Sequence, residues 1–154
     1  MTYQTAVFDL DGTLLNTLED LADAVNYSLK KNKMPLCTIT QVCQYVGNGI
    51  VKLMERAVPS GKDNPVFEQA LSDFKEYYAE HCHDKTALYP GVLALLQNLK
   101  KKGVKSAWLS LGGNVCAIGT KPDGSPWRIA VQNPADENDY VGVVEISDAC
   151  AVTS

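Results

Sequence analysis

The sequence predicts a mixed α/β fold in which a first strand and a group of helices precede a β-meander. Three observations support this prediction. A short apolar run ends at Asp9, helical periodicity then extends to residue 102, and alternating apolar residues between turn signals follow it. The change in character near residue 103 divides the chain into two predicted domains, a helical one at 1–103 and a β-rich one at 104–154.

The first strand is predicted at residues 3–8. Its apolar tripeptide Ala-Val-Phe is followed at once by the polar turn Asp9-Leu10-Asp11-Gly12-Thr13. A short apolar run closed by a turn is typical of a strand buried in a parallel sheet. We expect this strand to pair with residues 104–111, and we expect the later strands to extend the sheet in antiparallel fashion.

Apolar residues at helical spacing predict five helices, separated by loops rich in glycine and proline. The predicted ranges are 14–31, 41–46, 50–58, 66–83 and 92–102. Thr40 is the expected N-cap of the second helix, and Gly47-Asn48-Gly49 separates this helix from the third.

The β-rich domain is predicted from short apolar runs that are bounded by turn residues. The predicted strands are 104–111, 115–118, 127–131 and 141–146, with a turn at Gly112-Gly113 and polar loops at 121–126 and 133–139.

Charge and composition limit the classes of partner. The net charge is -4 and the isoelectric point is about 5.1, whereas binding to a phosphate backbone needs clustered Lys and Arg. We therefore expect no nucleic-acid partner. The beginning of the sequence does not resemble a signal peptide, and no apolar stretch approaches transmembrane length, so we expect a cytoplasmic location without membrane binding.

The chain contains five cysteines, an odd number without a Cys-x-x-Cys pair. Neither a disulfide framework nor a structural zinc site is expected from this pattern. Because the cysteines lie in mostly apolar surroundings, we expect free, buried thiols. The segment His81-Cys82-His83-Asp84 carries metal-ligating side chains, but consecutive helical residues point about 100° apart and cannot all face one ion.

Asp9 and Asp11 form the motif with the strongest chemical content. Their spacing of two along an extended segment places both carboxylates on one side. Such a pair suits phosphoryl transfer, because one carboxylate can attack phosphorus while the other handles the proton of the leaving group. A Mg²⁺ ion would offset the repulsion between the carboxylates and the charge of the phosphate. The alternative is a plain turn at the end of a strand.

With the flanking Ala-Val-Phe and Gly-Thr-Leu-Leu, the motif resembles motif I of the haloacid dehalogenase (HAD) superfamily, and within it the phosphoglycolate phosphatase group. The resemblance extends to about residue 105, with residues 15–85 in place of the helical cap. It implies that Asp9 is the nucleophile, that Asp11 is the general acid/base, and that both bind Mg²⁺. It also implies a small phosphorylated metabolite as the substrate.

The same resemblance implies further residues that bind substrate or phosphate. Thr13 and Ser110 would contact the phosphate, and Gly47 and Asn48 lie in a segment that resembles the substrate-facing loop of the cap. For that loop, a simple break between two helices is the alternative. The family's motif III lysine and motif IV acidic pair have no counterpart here, so an incomplete active site is expected.

A second resemblance covers residues from about 105 to 154. The segments 106–115, 118–129 and 143–154 resemble an internal stretch of the FAD:protein FMN transferase family, in which the Gly-Gly turn lies in the flavin-nucleotide domain. This resemblance implies that Gly112 and Gly113 contact FAD, with a tight β-turn as the alternative. We expect FAD to bind no tighter than about millimolar, because the remaining walls of such a pocket have no counterpart.

Together, the two resemblances suggest a chimera of two truncated enzymes. Three functions are therefore considered, namely a Mg²⁺-dependent phosphate-ester hydrolase, a flavin-nucleotide-binding or FMN-transfer module, and a catalytically silent chimera. Because the first strand is apolar on both faces and lacks its usual neighbours, we also expect either a homo-oligomer or a chain whose β-rich segment closes over the exposed face.

Overall fold

The computed structural model describes residues 3–111 and 114–152. Helices dominate the first part of this range and strands the last part, which confirms the predicted mixed α/β class. In chain order, the elements are β1 (Thr5–Asp9), β2 (Leu15–Asn16), α1 (Leu18–Lys31), α2 (Ile39–Tyr45), α3 (Gly49–Ala57), a 3-10 turn (Gly61–Asp63), α4 (Phe67–His81), β3 (Ala87–Leu88), α5 (Val92–Lys101), β4 (Ser106–Leu111), β5 (Asn114–Ile118), β6 (Trp127–Asn133), β7 (Asp136–Ile146) and β8 (Ala149–Ala151).

The chain forms two compact units. One comprises Met1–Leu14 with Tyr89–Ser154, and the other comprises Leu15–Leu88. This division follows contacts in space, whereas the predicted boundary at residue 103 follows composition along the chain. The predicted boundary stays a prediction.

The first unit is built on a four-stranded sheet with the order β1-β4-β5-β8. β1 runs parallel to β4, and the other pairs are antiparallel, as expected from the sequence. The hairpin β6–β7 forms a separate two-stranded sheet between β5 and β8 in the chain. The strand order therefore departs from a simple meander, because β8 returns to pair with β5.

The core of the first unit is small. Ala117, Ile129 and Ile146 form a cluster of buried residues among its strands, and half-buried tryptophans pack against them. The rings of Trp108 and Trp127 meet edge to face with their centroids 5.6 Å apart. This contact joins β4 of the four-stranded sheet to β6 of the hairpin.

The second unit is a helical bundle with a larger core. Apolar residues of α1, α2, α3 and α4 meet in its centre, and the largest of the fully buried ones are Val25, Leu29, Val42, Met54 and Phe74. These residues lie on the helical faces that the apolar spacing predicts.

The helical unit begins and ends in a two-stranded ribbon. Leu15 pairs with Leu88 and Asn16 with Ala87, in antiparallel fashion. The buried carboxylate of Asp20 accepts hydrogen bonds from the residues before β3, at 3.0 Å from Lys85 N, 2.8 Å from Thr86 N and 2.7 Å from Thr86 Oγ1. Asp20 therefore ties the start of α1 to the returning chain.

Three details of the predicted elements are wrong. The first helix starts at Leu18 rather than at residue 14, because Leu15 and Asn16 belong to the ribbon. The N-cap of α2 is Thr38 rather than Thr40, because Thr38 forms a reciprocal capping box with Gln41. Much of the predicted loop 133–139 belongs to the hairpin β6–β7.

The prediction of free, buried cysteines is wrong in two respects. Cys116 and Cys150 form a disulfide, because antiparallel pairing of β5 and β8 sets them opposite each other with Cα atoms 4.1 Å apart. Of the free cysteines, Cys43 is exposed, and Cys37 and Cys82 are half-buried. Partial burial raises the pKa of the Cys37 thiol.

Candidate active site

Asp9 lies at the carboxyl end of β1, beside the end of the neighbouring strand β4. The two strands run parallel, and their register places Asp9 opposite Ser110. In open sheets with parallel strands, ligands bind beyond the carboxyl ends of the strands. The structure thus brings the predicted nucleophile and the predicted phosphate-binding serine to one edge of the sheet.

The chain turns sharply after Asp9. Leu14 N donates a hydrogen bond to Leu10 O over 2.9 Å, and Thr13 N donates to the same carbonyl oxygen over 3.3 Å. Gly12 has a φ of +73°, a conformation that strains residues with a side chain. The side chain of Leu14 is buried and anchors the end of the turn. The sequence of this turn therefore fixes its local geometry.

The side chains of the turn are open to solvent. Asp9, Asp11 and Thr13 are all exposed, and Thr13 Oγ1 donates a long hydrogen bond of 3.3 Å to Asp9 Oδ2. Within the described ranges, no basic side chain forms an ion pair with Asp9 or Asp11. An incoming phosphate or metal ion can therefore approach both carboxylates.

The carboxylate oxygens of Asp9 and Asp11 are ligands of the kind that Mg²⁺ binds. Mg²⁺ prefers oxygen ligands and is commonly held by one or two carboxylates, with water and substrate phosphate completing its shell. In residues 3–111 and 114–152, no group of three or more His, Cys, Asp or Glu side chains could hold a metal ion. The two carboxylates would therefore need oxygen atoms from water and substrate.

The predicted cap-loop residues Gly47 and Asn48 lie in the helical unit, between α2 and α3. Gly47 has a φ of +125°, which favours glycine. Arg56 holds the loop, with Nη1 donating to Tyr45 O over 2.6 Å and Nη2 donating to Asn48 Oδ1 over 2.9 Å. Sequence reasoning missed Arg56, although an arginine in the last turn of the following helix can reach back to such a loop. The substrate-binding role of Gly47 and Asn48 stays a prediction.

Two other sets of residues stand out in the sequence, namely Gly112-Gly113 and the His-Cys-His-Asp segment at 81–84. Gly112 and Gly113, the candidate flavin-binding residues, lie outside the described residues. At the His-Cys-His-Asp segment, His81 Nδ1 is 2.7 Å from Asp84 Oδ2, and Cys82 Sγ is 3.7 Å from His83 Nδ1. These are two separate pairs, and only His81 of this segment lies in α4, which ends at that residue.

Comparison with known proteins shows the family of this chain. The model of the haloacid dehalogenase-like hydrolase family matches residues 6–111, which contain β1, the helical unit, α5 and β4. The chain belongs to the haloacid dehalogenase-like hydrolase family. This membership confirms the first resemblance, whereas the catalytic roles of Asp9 and Asp11 stay predictions.

Relatives in this family carry the name phosphoglycolate phosphatase. The protein of that name from Pseudomonas putida is 40% identical over 109 residues, which are 68% of this chain and 40% of that protein. A predicted phosphoglycolate phosphatase from Haemophilus somnus 129PT has a crystal structure that is 31% identical, with a TM-score of 0.63 over 72% of this chain and 52% of its own. The chain thus spans about two fifths of the length of the first of these relatives and about half of the second.

A second family model overlaps the end of the first. The ApbE family model matches residues 91–154, which contain α5 and the strands β4 to β8. This match confirms the second resemblance, and it places the overlap of the two families at residues 91–111.

No helix in the described parts of the chain is long and apolar enough to cross a membrane.

Proposed function

We propose that the Asp9 turn is the centre of a Mg²⁺-dependent phosphate-ester hydrolase of the phosphoglycolate phosphatase type. The observation that carries this proposal is the register of β1 and β4, which sets Asp9 and Ser110 side by side at the carboxyl ends of parallel strands. The names of the relatives support a small phosphorylated carboxylic acid as the substrate. The expected compartment is the cytoplasm.

The proposed reaction has two steps. An oxygen of Asp9 attacks phosphorus and forms an aspartyl phosphate, while Asp11 gives a proton to the departing alcohol oxygen. Asp11, now a carboxylate, then takes a proton from a water molecule that attacks the phosphoryl group. Inorganic phosphate leaves, and both aspartates return to their starting states.

Thr13 and Ser110 support the phosphate in this scheme, since each hydroxyl can donate a hydrogen bond to a phosphoryl oxygen. Asp9 and Asp11 would hold the Mg²⁺ ion, which when bound would offset the negative charges of Asp9 and the phosphate. Exposure of the two carboxylates, and the lack of a third acidic side chain beside them in the described residues, favours weak binding of the metal until substrate is present.

The proposal is tested by hydrolysis of 2-phosphoglycolate and of an aryl phosphate, with and without Mg²⁺. We expect Mg²⁺-dependent release of phosphate, and we expect Asp9→Asn to reduce the rate about 10³-fold or more, because the nucleophile is lost. Asp63→Asn is the matched control, since Asp63 is exposed in the 3-10 turn of the helical unit. Phosphate release that survives Asp9→Asn undiminished would exclude Asp9 as the nucleophile, and no Mg²⁺-dependent release by the wild type would support the catalytically silent chimera.

The match of residues 91–154 to the ApbE family favours a second candidate, a flavin-nucleotide module. Titration with FAD, followed by flavin fluorescence, separates the two candidates. We expect no binding tighter than about millimolar, because one turn offers too little contact to offset the ordering of the ligand. Micromolar affinity that Gly113→Val abolishes would establish the flavin module.

A further inference from the structure

The disulfide between Cys116 and Cys150 lies at an edge of the four-stranded sheet. Cys116 is the middle residue of β5 and Cys150 the middle residue of β8, and the alanine and valine neighbours on either side also pair. β8 has only three residues and is the last strand in the order β1-β4-β5-β8. A strand of three residues can form few backbone hydrogen bonds with its neighbour, and the disulfide adds a covalent link at its middle residue.

The two sulfur atoms belong to residues that differ in access to solvent. Cys150 is exposed, whereas Cys116 is half-buried. Exchange begins when a thiolate reaches a disulfide sulfur, and exposed disulfides are those that exchange readily. Attack is therefore expected at Sγ of Cys150, with Sγ of Cys116 as the leaving group.

β8 and the residues beside it make further contacts, which would be lost if the strand separated from β5. The side chain of Asp148, just before the strand, accepts a hydrogen bond of 2.8 Å from Gly119 N. Ala151 and Val152 form one wall of an open apolar cleft, which Val115 of β5 and Ile129 of β6 also line. Displacement of β8 would expose the apolar side chains of this cleft.

We propose that the Cys116–Cys150 disulfide is a thiol-exchange site that controls whether β8 is held against β5. A small thiolate such as that of glutathione attacks Sγ of Cys150 and forms a mixed disulfide there. The S–S bond breaks, and Cys116 departs as a thiolate that takes a proton from water. A second glutathione thiolate then attacks the glutathione sulfur and forms oxidised glutathione, and Cys150 departs as a thiolate that takes a proton from water.

The first experiment maps the products on the full chain. The protein is incubated with millimolar glutathione, quenched with iodoacetamide and digested for mass spectrometry. We expect the mixed disulfide at Cys150 and carbamidomethylation at Cys116, with the three other cysteines alkylated to the same extent before and after glutathione. A mixed disulfide at Cys116, or alkylation of both residues before any thiol is added, would overturn the proposal.

The second experiment follows the strand itself. On reduction, hydrogen exchange at 149–151 is expected to accelerate about tenfold or more, while exchange at 128–131 stays unchanged. Fluorescence of a hydrophobic dye should rise at the same thiol concentration. The double variant Cys116→Ser, Cys150→Ser is the matched control, since its dye signal should be high without thiol and insensitive to it. Unchanged exchange at 149–151 after complete reduction would show that the disulfide does not hold β8.

Discussion

At the scale of single residues, Asp73 is a buried acidic side chain that several donors of the helical unit hold in place. It lies in α4 with 2% of its surface exposed, and it accepts hydrogen bonds from Lys31 Nζ at 2.9 Å, Asn32 Nδ2 at 2.8 Å and Gln69 Nε2 at 2.9 Å. Burial raises the pKa of Asp73, but these hydrogen bonds outweigh burial and lower the pKa below its ordinary value of 3.8. The carboxylate therefore links α1 to α4 in its ionised form.

Because the folded state lowers this pKa, Asp73 stabilises the protein above pH 3.8, and the stabilisation is lost as the pH falls through the folded-state pKa. We expect Asp73→Asn to reduce the free energy of unfolding by about 2–3 kcal/mol at pH 7, since its charge-assisted hydrogen bonds are lost. The difference from the wild type should narrow below about pH 4. Urea unfolding at several pH values measures both effects. Equal stability of the variant and the wild type at pH 7 would contradict this account.

At the scale of secondary-structure elements, α2 shows how one residue sets a helix boundary. Thr38 Oγ1 accepts a hydrogen bond from Gln41 N over 3.3 Å, and Gln41 Oε1 accepts one from Thr38 N over 2.8 Å. The two residues thus satisfy donors that the first turn of a helix otherwise leaves free. Thr40, two residues later, is exposed and lies inside the helix.

The neighbouring threonines allow a direct test of the capping box. Thr38→Ala is expected to lower the free energy of unfolding by about 1 kcal/mol, because the cap of α2 is lost. Thr40→Ala is expected to change it by less than about 0.5 kcal/mol, as for other exposed positions. Thermal or urea unfolding of the two variants gives the comparison. The opposite order would place the helix start at Thr40.

The elements that could be predicted from the sequence are those whose pattern is local. The strand at Ala-Val-Phe and the glycine-containing turn of the candidate site after Asp9 could both be predicted, because both depend on neighbouring residues. β8 could not be found in this way, since three residues carry no periodicity. The Cys116–Cys150 pair also escaped, because it depends on which strands meet across 34 positions of sequence. The burial of Asp20 and Asp73 could not be predicted either, because acidic residues on a helix are expected to face solvent.

At the scale of the whole molecule, the first unit leaves apolar side chains uncovered. Val7 of β1 is 70% exposed and Leu93 of α5 is 58% exposed, although both lie in elements with an apolar pattern. This agrees with the expectation that the first strand lacks cover on one face. Exposed apolar side chains and unpaired strand edges both favour self-association.

We therefore expect the chain to form a homo-oligomer, which sedimentation velocity at several concentrations would detect. Val7→Ser combined with Leu93→Glu should shift the distribution toward monomer, because less apolar surface remains to be buried. Leu36→Glu is the matched control, since Leu36 is also 58% exposed but lies in the helical unit. A compact monomer that binds no hydrophobic dye would show that this surface does not drive association.

The pairing of β2 with β3 determines where the helical unit joins the rest of the chain. Leu15 and Leu88, the first and last residues of the helical unit, pair with each other, and Tyr89 N lies 3.0 Å from Leu14 O. The helical unit thus leaves and rejoins the chain at one point, as inserted domains do. The helical unit could therefore be removed or exchanged as a whole. A short linker between Leu14 and Tyr89 would close the gap left by its removal, and a different bundle could occupy the same place without stretching the strands on either side.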